Sequence, residues 1–337
     1  MTDGIYTLAN DYVYDQLVAL LNSIEVNAGE DIPVCVIAYD DNLELTRAEI
    51  AKRKNVTLME DPELFRRWEE FSVQVWKTHP HALETWQREK GISGVYRLSC
   101  NHRYAAFDAD APFDRFIYLD ADTLVLGPPR LIFDALDEHD FVTYDFQFKH
   151  PNHIFNLKSP KLSKLFTQQQ LGSEIFCSGC FASKKGLFNQ EQRDWIVSKL
   201  ADGEAEVLYL AAPNQSVLNY MTLRLGIPVH NLAVQLPKDR VTGNSVTSSH
   251  FEEKDHILYD HGKRLTYLHY IGLSSKLFRR VSQGRNVEFP YRDLFLHYRY
   301  LHEPEQRPVL SGEPEKRKQK TYPTLFQKVL RKVGLSR

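Results

Sequence analysis

Arg115-Phe116-Ile117-Tyr118-Leu119-Asp120-Ala121-Asp122-Thr123-Leu124-Val125-Leu126 is the stretch on which the reading of this chain turns. Arg115–Leu119 is the clearest strand in the sequence, and it runs straight into two aspartates one residue apart. Thr123–Leu126 is a short apolar continuation, closed by Gly127-Pro128-Pro129. In open α/β sheets ligands bind beyond the carboxyl ends of strands, which is where Asp120 and Asp122 fall. On an extended chain the side chains of residues i and i+2 point the same way, so both carboxylates can reach one hard cation. Mn2+ or Mg2+ accepts such oxygen ligands and keeps positions open for phosphate oxygens. An Asp-x-Asp alone is common in solvated turns; the apolar strand on each side gives this one its weight.

Working outward, the pattern is that of alternating strands and helices. Ile5–Ala9 reads as a buried strand, and Asn10 and Asp11 can cap a helix around Tyr12–Glu25 that carries Leu17, Leu20, Leu21 and Ile24 on one face. Pro33–Ala38 and Val56–Met59 are further strands. Pro62–Lys90 reads as helical, as do Leu131–Leu136, Gln190–Ala201 and Asn214–Leu225. Phe141–Tyr144, Ile175–Ala182 and Tyr267–Ile271 are the later strands. Strands alternating with helices argue for βαβ units and a mainly parallel sheet. No internal repeat divides residues 1–302, which read as one domain; residues 303–337 read as an irregular Pro/Glu-containing linker and a basic tail.

The formal net charge of -2 over 337 residues gives no reason to expect a nucleic-acid partner. The spacing of Cys35, Cys100, Cys177 and Cys180 does not form a secreted disulfide framework. Met1–Tyr6 lacks the basic start and apolar core of a signal peptide, and no stretch reaches the roughly 18 apolar residues of a membrane span. The expectation is a cytoplasmic protein. In the tail, Leu325, Phe326, Val329, Leu330 and Val333 fall at helical spacing beside Lys328, Arg331 and Lys332, after the cluster Lys316–Lys320. That pattern suits peripheral contact with anionic lipid on the inner face of a membrane; it equally suits a capping helix with solvated charges.

YLDADTLVL (Tyr118–Leu126) resembles the metal-binding motif of the retaining glycosyltransferases of family eight, which include glycogenin and the bacterial lipooligosaccharide galactosyltransferases. The resemblance implies a GT-A fold, a Rossmann-like sheet carrying donor and acceptor sites, with a mixed, mainly parallel centre. It recurs in order along the chain. Thr7–Asp11 is similar to the family's nucleotide-binding opening, which would put Leu8, Ala9 and Asn10 near base and ribose. The family's base-stacking Tyr falls at Val13, leaving Tyr12 or Tyr14 to serve. Tyr96-Arg97-Leu98 resembles a basic residue ahead of a helix, so Arg97 would pair with donor phosphates, with Arg103 competing for the role. Asp145 matches a carboxylate facing the sugar pocket.

Phe176-Cys177-Ser178-Gly179 resembles the Phe-Asn-Ser/Ala-Gly motif that cradles the donor sugar, with Cys177 in place of Asn. Losing that amide removes a donor and an acceptor, so sugar identity does not carry over. Asn214–Asn219 resembles Asp-Gln-x-x-Leu-Asn: Gln215 is kept beneath the anomeric carbon, and Asn214 replaces the preceding Asp. His269–Lys276 resembles the closing His-(Tyr/Phe)-x-Gly-x-x-Lys motif, one residue longer between Gly272 and Lys276. His269 would then be the third metal ligand, Gly272 would admit phosphate to the backbone, and Lys276 would add charge. Cys177-x-x-Cys180 lacks the helix start or second ligand pair of a redox or zinc site.

The implied activity is metal-dependent transfer of a hexose, retaining, from a nucleoside-diphosphate sugar, in this family UDP-linked, to a glycan, lipid-linked or protein acceptor. The cofactor is Mn2+ or Mg2+. Two alternatives remain open at this level: a nucleotide-sugar-binding protein that has lost catalysis, suggested by Cys177 and Asn214, and a glycogenin-like self-glycosylating protein. A nucleotidyltransferase is disfavoured, since TLANDY (Thr7–Tyr12) contains no glycine-rich loop.

Overall fold

Continuous apolar runs become strands here because helices and irregular segments cover both of their faces. In the computed structural model, which describes residues 1–315, the first eight strands are β1 (Asp3–Ala9), β2 (Val34–Ala38), β3 (Val56–Met59), β4 (Arg115–Leu119), β5 (Thr123–Val125), β6 (Phe141–Thr143), β7 (Cys180–Lys184) and β8 (Val229–Asn231). Seven of these form one sheet in the order β3-β2-β1-β4-β7-β6-β8. Every pairing is parallel except those of β7, which runs antiparallel between β4 and β6. The protein is therefore α/β with a mixed, mainly parallel central sheet.

Alternation along the strands divides the core between the two faces. Tyr6 and Leu8 of β1, with Phe116 and Tyr118 of β4, join Trp68, Trp76, Tyr104 and Phe107 on one side. Ile5 and Ala9, with Ile117 and Leu119, pack on the other against Leu17, Leu20, Leu21 and Ile24 of the helix Tyr14–Ala28. A three-stranded antiparallel sheet of β9 (Glu252–Lys254), β10 (Ile257–Asp260) and β11 (Lys263–Arg264) follows. β12 (Tyr267–His269) then pairs antiparallel with β5, placing His269 opposite Thr123. Leu268 and Tyr270 bury themselves with Phe278, Phe289 and Phe295 in a third apolar cluster.

Several boundaries differ from the sequence reading for identifiable reasons. Pro62–Lys90 is two helices, Pro62–Lys77 and Ala82–Lys90, parted at Thr78-His79-Pro80-His81, because proline disfavours helix at the residue before it. Asn10 caps the turn that opens the first helix, its Oδ1 accepting from Tyr12 N–H at 3.1 Å. Asp11 does something else: its carboxylate accepts from the backbone N–H groups of Leu45 (3.0 Å) and Thr46 (2.9 Å), closing the start of the helix Glu44–Ile50. The expected strand Ile175–Ala182 begins only at Cys180. Within the stretch read as irregular, Ser311–Glu315 pairs in parallel with Arg285–Val287. The basic tail from Lys316 lies outside the described residues. Among the described residues no helix is long and apolar enough to cross a membrane.

Replacing Asp11 with Ala orphans two backbone donors of a helix that has no other side-chain cap. The expected loss is about 1–2 kcal/mol, read from urea unfolding; no change in midpoint would refute the cap.

Candidate active site

Three chain segments meet at the carboxyl end of β4. Asp120 follows the strand directly and its N–H donates to the Gly179 carbonyl at 2.8 Å. Asp122 is held on the other side, where Tyr270 N–H donates to its carbonyl at 2.9 Å. The β5–β12 pairing brings His269 alongside, its Nε2 3.2 Å from Asp122 Oδ1. One ligand atom from each of Asp120, Asp122 and His269 lies within 4.8 Å of the others. Two carboxylates and one imidazole suit a divalent cation with a preference for oxygen. Gly179 leaves the space they share: a Cβ there would sit 2.5 Å from His269 Cε1 and 2.8 Å from Asp120 Oδ2.

Charge balance fits the same reading. Burial favours the neutral imidazole of His269, yet the Asp122 carboxylate and Cys177 raise its pKa well above the ordinary value. The Asp122 carboxylate thus favours a positive charge on the neighbouring imidazole. Arg103, buried, supplies a fixed positive charge: its Nη1 lies 3.2 Å from Asp120 Oδ1 and donates to the Ser178 carbonyl at 2.8 Å. Its guanidinium also stacks over Tyr118 at 4.9 Å, and the Tyr118 hydroxyl donates to Asp120 Oδ1 at 2.9 Å. Of the two arginines weighed from sequence, Arg103 is the one at the aspartates. Arg97 is exposed next to Tyr96, in a left-handed backbone conformation at φ 58°.

The bend Phe176–Gly179 explains why β7 starts late. Its N–H groups are taken one by one by side chains instead of a neighbouring strand. Asn219 brackets Phe176, its Oδ1 accepting from Phe176 N–H and its Nδ2 donating to Phe176 O, each at 2.9 Å. Cys177 N–H donates to Asp145 Oδ2 at 2.9 Å, and Ser178 N–H to Gln215 Oε1 at 3.0 Å. Gln215 in turn donates to the His153 carbonyl at 3.2 Å. Asn214 donates from Nδ2 to Ser178 Oγ at 3.3 Å, while Tyr104 OH holds the Asn214 carbonyl at 2.5 Å. Asp145, Cys177, Ser178, Asn214 and Gln215 are therefore one hydrogen-bonded unit. Burial pushes the Asp145 carboxyl up to about 7, against the lowering effect of N–H groups from Gln147 and Cys177 and of His269.

The remaining residues lie along the end of β1 and the chain after β12. Leu8, Ala9 and Asn10 are buried, and Asn10 Nδ2 donates to Asp40 Oδ2 at 2.9 Å. Tyr14 turns its hydroxyl to Glu49 at 3.4 Å and its ring lies under Arg299. Tyr12 is 44% exposed, with Arg279 over its ring at 4.8 Å, so Tyr12 is the more exposed of the pair. Gly272 is exposed at φ 76°, and exposed Lys276 lies in the first turn of the helix Ser275–Ser282, capped by Ser274 Oγ. Sequence reasoning assigned no task to Gly179, Asn219, Tyr104 or Tyr118. Gly179, Asn219 and Tyr118 stood inside quoted motifs; Tyr104 carried no local signal of its own.

A mainly parallel sheet with one reversed strand gives the protein the GT-A fold. No protein-family model and no curated relative matches the sequence. Among solved structures, the bifunctional glycosyltransferase WbbM in its apo form is similar over 91% of this chain and 52% of its own, at 13% identity and a TM-score of 0.54. The chain thus spans about half the length of WbbM. The galactosyltransferase LgtC, in complex with donor and acceptor sugar analogues, is matched over 83% of this chain and 94% of its own, at 15% identity and a TM-score of 0.47. Mouse xyloside xylosyltransferase 1 is matched over 68% and 85%, at 14% identity and a TM-score of 0.47.

Two outcomes follow from this geometry. Gly179→Ala should weaken Mn2+ binding at least tenfold, measured by electron paramagnetic resonance titration, while the thermal midpoint moves by only a few degrees. Equal affinity would show that Gly179 does not border the cation site. For Asp145, the folded carboxyl keeps its proton up to about pH 7, whereas an unfolded one releases it near pH 3.9. The unfolded chain therefore binds fewer protons between these values, and stability falls as pH rises through that window. Relative to Asp145→Asn, the native protein should lose up to about 1.4 kcal/mol per pH unit between pH 5 and 7. Parallel stability curves for the two proteins would overturn this.

Proposed function

We propose that the chain is a metal-dependent glycosyltransferase that moves a hexose from a nucleoside-diphosphate sugar, a UDP-sugar in the first instance, to a glycan, lipid-linked or protein acceptor with retention of configuration. The observation that carries this is the convergence of Asp120, Asp122 and His269 within 4.8 Å, beside the hydrogen-bonded unit of Ser178 and Gln215. Asp120, Asp122 and His269 would hold Mn2+ or Mg2+, which when bound supplies Lewis-acid neutralisation of the diphosphate.

The chain's own residues divide the rest of the work. Tyr12, the more exposed of the two tyrosines, would stack on the base, next to Leu8, Ala9 and Asn10. Lys276 adds a point charge and Gly272 a close backbone approach for phosphate, with Arg97 as a further cation for the donor. Asp145, Cys177 and Ser178 border the hexose. With a pKa near 7, Asp145 can carry a proton to donate to a sugar hydroxyl. Gln215, anchored through His153 O and Ser178 N–H, would face the reacting carbon.

Asn214 has no carboxylate with which to form a glycosyl-enzyme bond, and its amide is already spent on Ser178 Oγ. This supports a same-face displacement in which the departing diphosphate takes the proton of the acceptor hydroxyl. Fixed dipoles around the bend would stabilise the cation-like sugar.

The test is release of nucleoside diphosphate from a panel of nucleotide sugars, with Mn2+ and with chelator. Wild type should release it from one donor in the presence of Mn2+, and Asp122→Ala should lose at least a hundredfold in rate. The product anomer, read by proton NMR, should match the donor. Tight donor binding without release would instead identify a nucleotide-sugar-binding protein that has lost catalysis. A mass gain on the protein itself would identify self-glycosylation. Neither binding nor release would overturn the glycosyltransferase reading.

A further inference from the structure

We propose that His250, Asp260 and His261 form a second metal site, built for a zinc-class ion and separate from the cluster of Asp120, Asp122 and His269. Asp260 ends β10 and is buried, with its two carboxylate oxygens facing different partners. Oδ2 accepts the Gly243 N–H at 2.7 Å. Oδ1 faces two imidazoles, 3.1 Å from His250 Nε2 and 3.7 Å from His261 Nε2. The three ligand atoms lie within 4.8 Å of one another.

The two separations from Asp260 are close to those a small tetrahedral ion needs. Ligand atoms about 2.0–2.1 Å from zinc stand roughly 3.3 Å apart, and the two Asp260 distances bracket that value. The ligand chemistry also differs from that of the first cluster. Two imidazoles and one carboxylate favour zinc or a neighbouring borderline ion, whereas a carboxylate-rich set suits Mn2+ and Mg2+. The side chains of His250 and His261 are 50% and 82% exposed, which gives an ion entry from solvent and room for water at the remaining position. The imidazole rings already lie near-parallel, 5.3 Å apart.

The placement suggests what such an ion does. Gly243 and His250 mark the two ends of a loop, and Asp260 and His261 belong to the β10–β11 hairpin. Between those ends the Asn244 carbonyl accepts the His269 N–H at 2.7 Å, and Val246 N–H donates to the His269 carbonyl at 3.0 Å. An ion tying His250 to Asp260 and His261 clamps this loop at both ends against the hairpin. The clamp holds the strand that carries His269, so it is a positioning site and not part of the reaction centre.

The full chain bearing Asp122→Ala, which disables the first cluster, is titrated with Zn2+ in competition with a chromophoric chelator, and its thermal midpoint is followed with and without Zn2+. One equivalent of zinc should bind and raise the midpoint by a few degrees, with no comparable rise from Mn2+. Adding His250→Ala and His261→Ala should weaken zinc binding at least tenfold and remove the rise. Both histidines are exposed, and an unchanged metal-free midpoint confirms that the fold survives. No zinc binding in the parent, or equal binding in the doubly substituted chain, overturns the proposal and leaves a pair of His–Asp contacts. Neither result depends on donor turnover, so this site and the glycosyltransferase reading succeed or fail separately.

Discussion

The antiparallel pairing of β5 with β12 is the constraint on which the candidate site depends. β5 follows the aspartates outside the central sheet, and its register with β12 sets His269 opposite Thr123. Ladder bonds fix that register, and the apolar anchors Leu124 and Leu268 bury their side chains in the third core cluster. A slip of one residue would turn His269 away from Asp122 and Leu268 out of the core together. Apolar burial thereby holds the polar arrangement in place, with Arg103 beside Asp120 and His269 beside Asp122 offsetting the two carboxylates.

A second polar arrangement grows from the Phe176–Gly179 bend. Backbone N–H groups that a strand would have paired are satisfied by Asn219, Asp145 and Gln215. Buried donors left unpaired are costly, so these side chains hold the bend as firmly as a ladder would. Each also belongs to the region where a donor sugar would lie. The same hydrogen bonds that shape the backbone thus orient Ser178 and Gln215, and bring Gly179 against Asp120 and His269 with no room for a side chain. Structure and chemistry share one set of contacts, and the buried Asp145 carries the cost as a raised pKa.

Much of this was legible in the chain. Strand β4 and the aspartates that follow it announce themselves through apolarity followed by charge, and helix-strand alternation fixes the class of sheet. Motif order brought His269, Gln215 and Cys177 to notice although each is ambiguous alone. The misreadings have local causes. Asp11 looks like a cap for the helix next to it, but its oxygens reach the helix Glu44–Ile50 through space. Ile175–Gly179 has strand propensity, and loses it to side-chain acceptors that lie far along the chain.

By itself the sequence determined the alternation of elements, the two-sided burial of the central strands and the pairing of Asp120 with Asp122, because these follow from periodicities of a few residues. Tertiary structure decided that Arg103 stands at the aspartates while Arg97 is exposed, that Tyr12 is exposed while Tyr14 bonds Glu49, and that Gly179 must be small. It also decided that His250 meets Asp260 and His261. Contacts of this kind depend on strand order and crossover, which bring distant residues within a few ångströms, and no local pattern of side chains encodes a distance between segments that have yet to pack.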